Sequence, residues 1–550
     1  MPKFEQELLQ RELLTDAVLR TAVKRARELR CSLHEVLVNE GICQAEDVLA
    51  VLSVCYGLPV YDPAVTPVQP EAVRAVSPKL VSHYSILPVA VSGRTLTIVV
   101  TDPLDMKPAE DLEAHHGWRV ERMLGSRRDI EEGLKKHYGV GADTVARMLD
   151  DTTRTTAAPE PVSETQDVGM ASDDVSVIRF VNQLLNEAIR ARSSDIHFEI
   201  QAAGPVIRRR IDGVLYDIPI PQGTRTLYPA LVSRLKLMAG LNIVERRVPQ
   251  DGRARVKLAG NEYDLRVSVV PALHGEDVVI RILPTSMLFD LSQLGFSPDD
   301  QSLLQKHLEK TNGILFVTGP TGSGKSTTLY ACLKMLNTRE RKIITIEDPV
   351  EYELPGITQT QIAPGIGLTF ARALRSMLRH DPDVMMVGEV RDAETAEIAV
   401  QTAMTGHLVL STLHTNDAAS AAVRLMDMGI DPYLITSTVR LFSAQRLVRM
   451  LCPACRRPAE HPQVPGELMP AGCRACGNAG FAGRMAITEF IPLEPSIQEL
   501  VLQRAGAPDI RRAADKQGWH TMSEDGWNKV KAGLTSAGEL LRVISDHADL

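Results

Sequence analysis

With 550 residues, 44% of them hydrophobic and 24% charged, the chain has the length and apolar content for several domains, roughly three or four at the usual domain size. A net charge of −8 and a pI of about 6.0 argue against a role that needs a basic surface for nucleic acid. No apolar run approaches the ~20 residues of a membrane span, and the opening Met1-Pro-Lys-Phe-Glu-Gln-Glu7 lacks the basic-then-apolar pattern of a signal peptide, so a cytoplasmic location is expected, with any membrane role peripheral.

The first 60 or so residues read as helices. Apolar residues recur at helical spacing from Leu14 to Val23, with Thr15 placed to cap them. The run Ser32 to Gly41 repeats the pattern and stops at a glycine, and Ala45 to Tyr56 forms another helix ended near Gly57-Leu-Pro59. Tyr84 to Val91 and Thr95 to Val100 read as strands joined by a Ser-Gly turn. Residues 1–145 are therefore expected to form a first small α/β domain. Residues 146–172, rich in Thr, Ala, Pro, Glu, Ser and Asp without apolar periodicity, read as a flexible linker.

An amphipathic helix over Ile178 to Ile189 and strand-like runs at Asp195–Ile200, Val206–Ile211 and Tyr263–Val270 predict a second α/β domain over 173–287. The period of two puts Asp195, His197 and Glu199 on one strand face, either as a functional set or as a solvated polar face. From 288 to 550 strand and helix patterns alternate, which predicts a parallel sheet with helices on both faces.

The chemistry gathers in that last region. Gly319-Pro320-Thr321-Gly322-Ser323-Gly324-Lys325-Ser326 fits G-x-x-x-x-G-K-[ST], the phosphate-binding P-loop, with Thr327 directly after it. The apolar run Gly313–Thr318 precedes it as a strand and Thr327–Leu336 follows with helical spacing, which is the context the motif needs. Glycines let backbone amides turn inward around phosphate oxygens, and the helix N-terminus adds partial positive charge. Lys325 is expected to reach the β- and γ-phosphates of ATP and Ser326 to hold Mg2+. Downstream, the β-branched strand Ile343–Ile346 ends in Glu347-Asp348-Pro349, and Val384–Val387 ends in Gly388-Glu389. Ligand-binding residues of parallel sheets cluster at such strand ends. A carboxylate there orients Mg2+ through water or activates the attacking water. Glu389 is the first choice for the water-activating base, Glu347 and Asp348 the second. Leu408–Leu413 is a third strand, flanked by His407 and His414, either of which could hydrogen-bond a γ-phosphate or serve the fold.

Of the eight cysteines, Cys31, Cys43, Cys55 and Cys332 sit in apolar surroundings and read as core. The other four form Cys452-x2-Cys455-x17-Cys473-x2-Cys476, a zinc-knuckle spacing in which four thiolates close a tetrahedron and make the metal structural.

Taken together, GPTGSGKST, ITIEDPVE, LRHDPDVMMVGEVRD and TGHLVLSTLHTN resemble the Walker A, Asp-box, Walker B and His-box segments of the secretion ATPases, which drive type II secretion and type IV pilus assembly. SSDIHFEI, RRRIDG, ERRVPQDGR and GEDVVIRIL look like that family's second N-terminal domain, so the resemblance covers about 172–550. It implies a RecA-like P-loop ATPase core preceded by two smaller α/β domains and carrying a zinc-binding insert at about 450–480. It also implies a homo-hexamer that works on an inner-membrane platform protein, with a membrane-anchored recruiting protein as a further partner; the net charge of −8 adds the expectation of no nucleic acid. The family's assembly and export members carry a tetracysteine insert at this place and its retraction members typically lack it, which favours assembly or export over the retraction alternative. A nucleic-acid translocase, as RecA-like hexamers also are, is the reading outside the family. The first N-terminal domain of some members binds cyclic di-GMP through a motif beginning Arg-Leu-Gly; here that place reads Ser32-Leu33-His34, so docking to a membrane-anchored partner is expected instead. Finally, one lysine is a small counter-charge for a triphosphate. Arg266 in Leu265–Ser268 and Arg281 in Val279–Ile282 lie in strand-like runs before the core and, by the same resemblance, are expected to supply more, unless they pair only with nearby carboxylates such as Glu262, Asp264, Glu276 or Asp277.

Overall fold

The computed structural model describes residues 3–29, 31–142, 144–145, 165–167, 176–221, 223–258, 260–285 and 290–544. They fall into two compact units, Met1–Pro284 and Thr285–Leu550.

The first unit contains two sheets. Leu87–Ser92, Thr95–Val100 and Arg119–Leu124 form a three-stranded sheet, antiparallel at the first pairing and parallel at the second. Helices Lys3–Gln10, Asp16–Leu29, Leu33–Asn39 and Ala45–Tyr56 bury Leu8, Ala22, Leu37, Val51 and Leu52 in the same core as Leu96 and Ile98. Helix Leu33–Asn39 starts where the sequence suggests because Ser32 and Glu35 form a reciprocal capping box. Ala45–Tyr56 ends because Gly57 adopts φ 69°, the left-handed conformation that glycine enters without strain.

The second sheet of this unit runs in the order Thr165–Asp167, Gln250–Leu258, Asn261–Ala272, Gly275–Pro284, Asp195–Gln201, Gly204–Ile211 and Val214–Ile218. All its pairings are antiparallel except the first. Helices Ser176–Arg190 and Thr224–Met238 cover one face, burying Phe180, Leu184, Leu231 and Leu235 against Ile196, Phe198, Val267 and Ile280. The strand Thr165–Asp167 lies inside the stretch expected to be a linker; the remainder of 146–172 lies outside the described residues.

The second unit is built on a seven-stranded sheet in the order Thr358–Gln361, Ile343–Glu347, Val384–Val387, Leu408–Leu413, Gly313–Thr318, Val439–Leu451 and Phe481–Pro492. The first six strands are parallel and the last is antiparallel to its neighbour. Every residue of Gly313–Thr318, Ile343–Glu347, Val384–Val387 and Leu408–Leu413 is buried. That is the consequence of helices on both sides, which leave no sheet face for water. Ala371, Leu374, Ala399, Ala422 and Ile435 pack on one face, and Leu304, Leu308, Leu329 and Leu333 on the other. The expected sheet with helices on both faces is therefore what the chain builds, parallel but for its last strand.

Candidate active site and metal centre

The strand Gly313–Thr318 runs into the loop 319–324, which turns into helix Lys325–Leu336. Gly319, Gly322 and Gly324 have φ of 147°, 83° and 90°. At Gly319 and Gly324 space is as restrictive as conformation. A Cβ on Gly319 would lie 2.5 Å from Ser323 Oγ and 2.6 Å from the Gln445 carbonyl oxygen, and one on Gly324 would lie 2.7 Å from Gln445 Nε2. Thr321, Gly322 and Ser326 face solvent at the loop's open side, Pro320 and Thr327 are half-buried, and Ser323 is buried. The Lys325 ammonium donates to the carbonyls of Gly319 (2.8 Å) and Pro320 (3.1 Å). Burial lowers its pKa below the usual lysine value, Glu389 pulls it back up and Arg446 pushes it further down. It is thus a partly dehydrated cation at the mouth of a glycine loop that leads into a helix N-terminus, a setting in which phosphate oxygens replace lost water.

Glu389 follows strand Val384–Val387 directly after Gly388, and its loop is pinned from both sides. Gly388 N–H donates to Ile346 O (2.8 Å), Val390 N–H donates to Thr412 O (3.0 Å), and Thr412 Oγ1 donates to Gly388 O (2.7 Å). Its carboxylate lies 3.1 Å from His414 Nε2 and 2.7 Å from Arg391 Nη2. His414 comes immediately after strand Leu408–Leu413, so two neighbouring parallel strands deliver the pair to one place. His407 does something else: its Nδ1 lies 3.0 Å from the Thr402 carbonyl and from Thr405 Oγ1, at the end of helix Ala393–Met404.

Glu347 is buried with both oxygens engaged. Thr345 Oγ1 donates to Oε1 at 2.5 Å, Gln359 Nε2 donates to Oε1 at 3.1 Å, and the Tyr330 hydroxyl donates to Oε2. Burial and this neighbouring carboxylate push the Tyr330 phenol pKa up, so it stays a donor. The Glu351 backbone N–H in turn donates to Tyr330 Oη at 3.1 Å, which ties the segment after Asp348-Pro349 to the phosphate-loop helix. Asp348 is exposed.

Arg266 and Arg281 sit in the first unit, directly opposite one another on adjacent strands. Arg281 Nε lies 3.2 Å from Asp195 Oδ1, and Arg266 Nε lies 4.0 Å from Asp264 Oδ2. Arg253, which sequence reasoning did not single out, is the cross-strand partner of Arg266 on its other side. It is the arginine of the QDGR segment, which opens strand Gln250–Leu258, but its register against Arg266 could not be known before pairing. Three arginines in a cross-strand row repel one another, and Asp195 answers with ion pairs to Arg281 and, at 3.8 Å, to Arg210. Asp195, His197 and Glu199 do share this face: Glu199 pairs with Arg208 at 2.5 Å, while burial holds the His197 pKa below its usual value.

The four clustered cysteines close the hairpin between strands Val439–Leu451 and Phe481–Pro492. Cys452–Cys473, Cys455–Cys476 and Cys473–Cys476 Sγ pairs are each 3.8 Å apart, and all four sulfurs lie within 4.8 Å of one another. Four thiolates around zinc at a Zn–S distance of ~2.3 Å sit about 3.8 Å apart in a tetrahedron, so the donor set fits the ion. Cys476 Sγ also accepts from the backbone N–H groups of Cys473 (3.3 Å) and Gly480 (3.2 Å), which favours the thiolate.

A glycine loop running from strand to helix, a half-buried ammonium at its mouth and a carboxylate clasped at a nearby strand end define the class of P-loop ATPases with a RecA-like sheet. More narrowly, the chain belongs to the type II/IV secretion system protein family, whose profile matches residues 170–542. The MshEN domain profile matches residues 56–144. The chain is 39% identical to the type IV pilus assembly ATPase PilB of Myxococcus xanthus, across 97% of this chain and 98% of that protein. It is 40% identical to the type II secretion system protein E of Xanthomonas campestris pv. campestris, across 99% and 98%. The X-ray structure of the Legionella pneumophila ATPase DotB shares the fold, with a TM-score of 0.53 at 24% identity over 70% of this chain and 100% of that one.

Proposed function

We propose that the chain is the ATP-hydrolysing motor of a type II secretion or type IV pilus assembly machine. The observation that carries this reading is the pairing of Lys325 and the inward loop with Glu389 and His414, in a chain similar from end to end to assembly and secretion ATPases. Residues 319–327 cradle the triphosphate of ATP, and Ser326 is the ligand for Mg2+, whose charge offsets that of the β- and γ-oxygens. Glu389 takes the proton of the attacking water, and its contact with His414 orients it. Glu347, with both oxygens already accepting, holds the phosphate-loop helix to the neighbouring strand. Arg266 and Arg281 add positive charge to the γ-phosphate during transfer. Cys452, Cys455, Cys473 and Cys476 hold a structural zinc. The working form is a cytoplasmic homo-hexamer acting through an inner-membrane platform protein and a membrane-anchored recruiting protein; among the described residues no helix is long and apolar enough to cross a membrane.

The test is Lys325→Ala in the full chain. ATP hydrolysis is expected to disappear and ATP binding to weaken, because the γ-phosphate loses its cationic partner. Near-normal turnover in that variant overturns the reading.

A further inference from the structure

Strand Val439–Leu451 lies parallel to the phosphate-loop strand, with Ala444 opposite Thr318, the last residue before the loop. The next two residues, Gln445 and Arg446, therefore run alongside the loop itself. Both are polar and both are buried, 3% and 5% exposed, in a position where a parallel sheet usually places apolar side chains. Their hydrogen bonds show what the burial is for. Gln445 Nε2 donates to the Ser323 carbonyl at 2.9 Å, inside the phosphate loop. Gln445 Oε1 accepts from Thr328 Oγ1 at 2.7 Å, in the first turn of the following helix. The same residue is the wall against which Gly319 and Gly324 are closed: its backbone carbonyl faces the first and its amide nitrogen the second, each too near to admit a Cβ.

Arg446 extends the connection. Its Nη1 donates to the Gln445 carbonyl at 3.0 Å, and its Nη2 donates to Asn416 O at 3.0 Å and Asn416 Oδ1 at 3.2 Å. Asn416 stands two residues after His414. The far side of that loop is held as well, by Ala418 N–H donating to the buried Glu489 carboxylate at 3.0 Å. One planar guanidinium thus bridges the strand that shapes the phosphate loop and the loop that carries the histidine contacting Glu389. A lysine, with a single compact head, cannot reproduce that bridge.

We propose that Gln445 and Arg446 are positioning residues of the ATPase site: Gln445 sets the shape of the phosphate loop, and Arg446 fixes the loop of His414 relative to it. This rests on the ATPase reading above. Two different kinetic signatures follow. A loop held in the wrong shape binds ground state and transition state less well alike, which raises KM and leaves kcat. A histidine loop set adrift misplaces Glu389 only for the chemical step, which lowers kcat and leaves KM.

The experiment uses the full chain and four variants, with steady-state ATPase kinetics, affinity for a fluorescent ATP analogue, and thermal melts. Gln445→Glu keeps the size but cannot donate to Ser323 O, and it sets a negative charge beside the phosphates. It is expected to raise KM and Kd about fivefold or more at nearly unchanged kcat. Arg446→Lys is expected to lower kcat about fivefold or more at nearly unchanged KM. Asn416→Ala, at the exposed end of the same bridge, is expected to lower kcat by about twofold in the same way, so the proposal stays testable should Arg446→Lys fail to fold. Unchanged constants in Gln445→Glu and Asn416→Ala overturn the proposal, as does a loss of kcat and affinity together that tracks a fall in melting temperature. Lys325→Ala is run beside them: hydrolysis persisting there means that the ATPase reading, not the brace, has failed.

Discussion

The two seven-stranded sheets of this chain solve opposite problems. In the second unit the central strands are parallel and buried on both faces, so no side chain within them is available for chemistry. Reactive groups gather where the strands stop: Lys325 after Gly313–Thr318, His414 after the neighbouring strand Leu408–Leu413, Glu389 after Val384–Val387 beyond it. In the first unit the large sheet is almost entirely antiparallel and, among the described residues, helices Ser176–Arg190 and Thr224–Met238 cover one face. Its other face carries Arg253, Arg266, Arg281, Arg208 and Arg210 against Asp195 and Glu199. Chemistry at strand ends is point-like, held by a few loop hydrogen bonds, and a single substitution should silence it. Charge spread over a sheet face is shared, and a single substitution should weaken it by degrees.

The sharpest form of that contrast is Glu389→Gln. ATP binding should persist while turnover falls below detection, since an amide takes no proton from water. Persisting hydrolysis would shift the base to another strand end. A smaller effect is expected from the sheet face: Arg266→Ala and Arg281→Ala should each lower kcat by about tenfold or more, with folding little changed. If either variant lowers the melting temperature and leaves kcat alone, that arginine serves only to balance its neighbouring carboxylates. Smaller still for catalysis is the knuckle. Purified protein should carry about one zinc per chain; Cys452→Ser should release it and loosen residues 452–480 while most ATPase activity remains. Metal analysis finding none, with four freely titrating thiols in the native protein, would remove the site.

The mildest effect is on stability against pH. The Asp300 carboxylate, with Oδ2 3.3 Å from His520 Nε2, raises the His520 pKa against the pull of burial. A raised pKa gives stability that is fully present below the ordinary value of ~6.5 and is lost as pH rises through the folded one. His307 is the opposite case: burial, with Lys310, Lys306 and Arg440 adding to it, pushes it down to about 4. Its contribution is present above ~6.5 and is lost as pH falls toward 4. His520→Gln should therefore lessen the fall of melting temperature above pH ~6.5, and His307→Gln the fall below it, to which His34, His137 and His197, also lowered by burial, add. Unaltered limbs in both variants would assign the profile to other groups.

How much of this was legible depended on whether the information was local. Val384–Val387 was readable to the residue because it is an unbroken apolar run stopped by a glycine, and Leu408–Leu413 because its largely apolar run is bounded by His407 and His414. The phosphate loop and the cysteine set were readable because their chemistry demands fixed spacing. Val439–Leu451 was not readable as a buried strand, since Arg440, Gln445, Arg446 and Arg449 interrupt it. These polar groups are tolerable inside because partners far along the chain receive them: Gln445 reaches Ser323, and Arg449 reaches Glu539 at 2.8 Å. Helix Thr224–Met238 was hidden by Pro229 in its interior. Glu347 and Glu389 looked alike in sequence, each closing a β-branched or apolar strand, and only the donors around Glu347 tell them apart.

The distance along the chain between Ser323 and Gln445 also has a bearing on how the protein is made. The two are 122 residues apart, and ribosomes add ~5–20 residues per second. The phosphate loop thus leaves the ribosome about 6–24 s before the side chain that shapes it. During that interval the loop's strand has no partner on one edge, and Gly319 and Gly324 lack the Gln445 wall they close against. A nascent chain cannot present a finished nucleotide site until strand Val439–Leu451 has emerged, so capture of ATP belongs to the last fifth of synthesis, when most of the sheet is already in place to receive it.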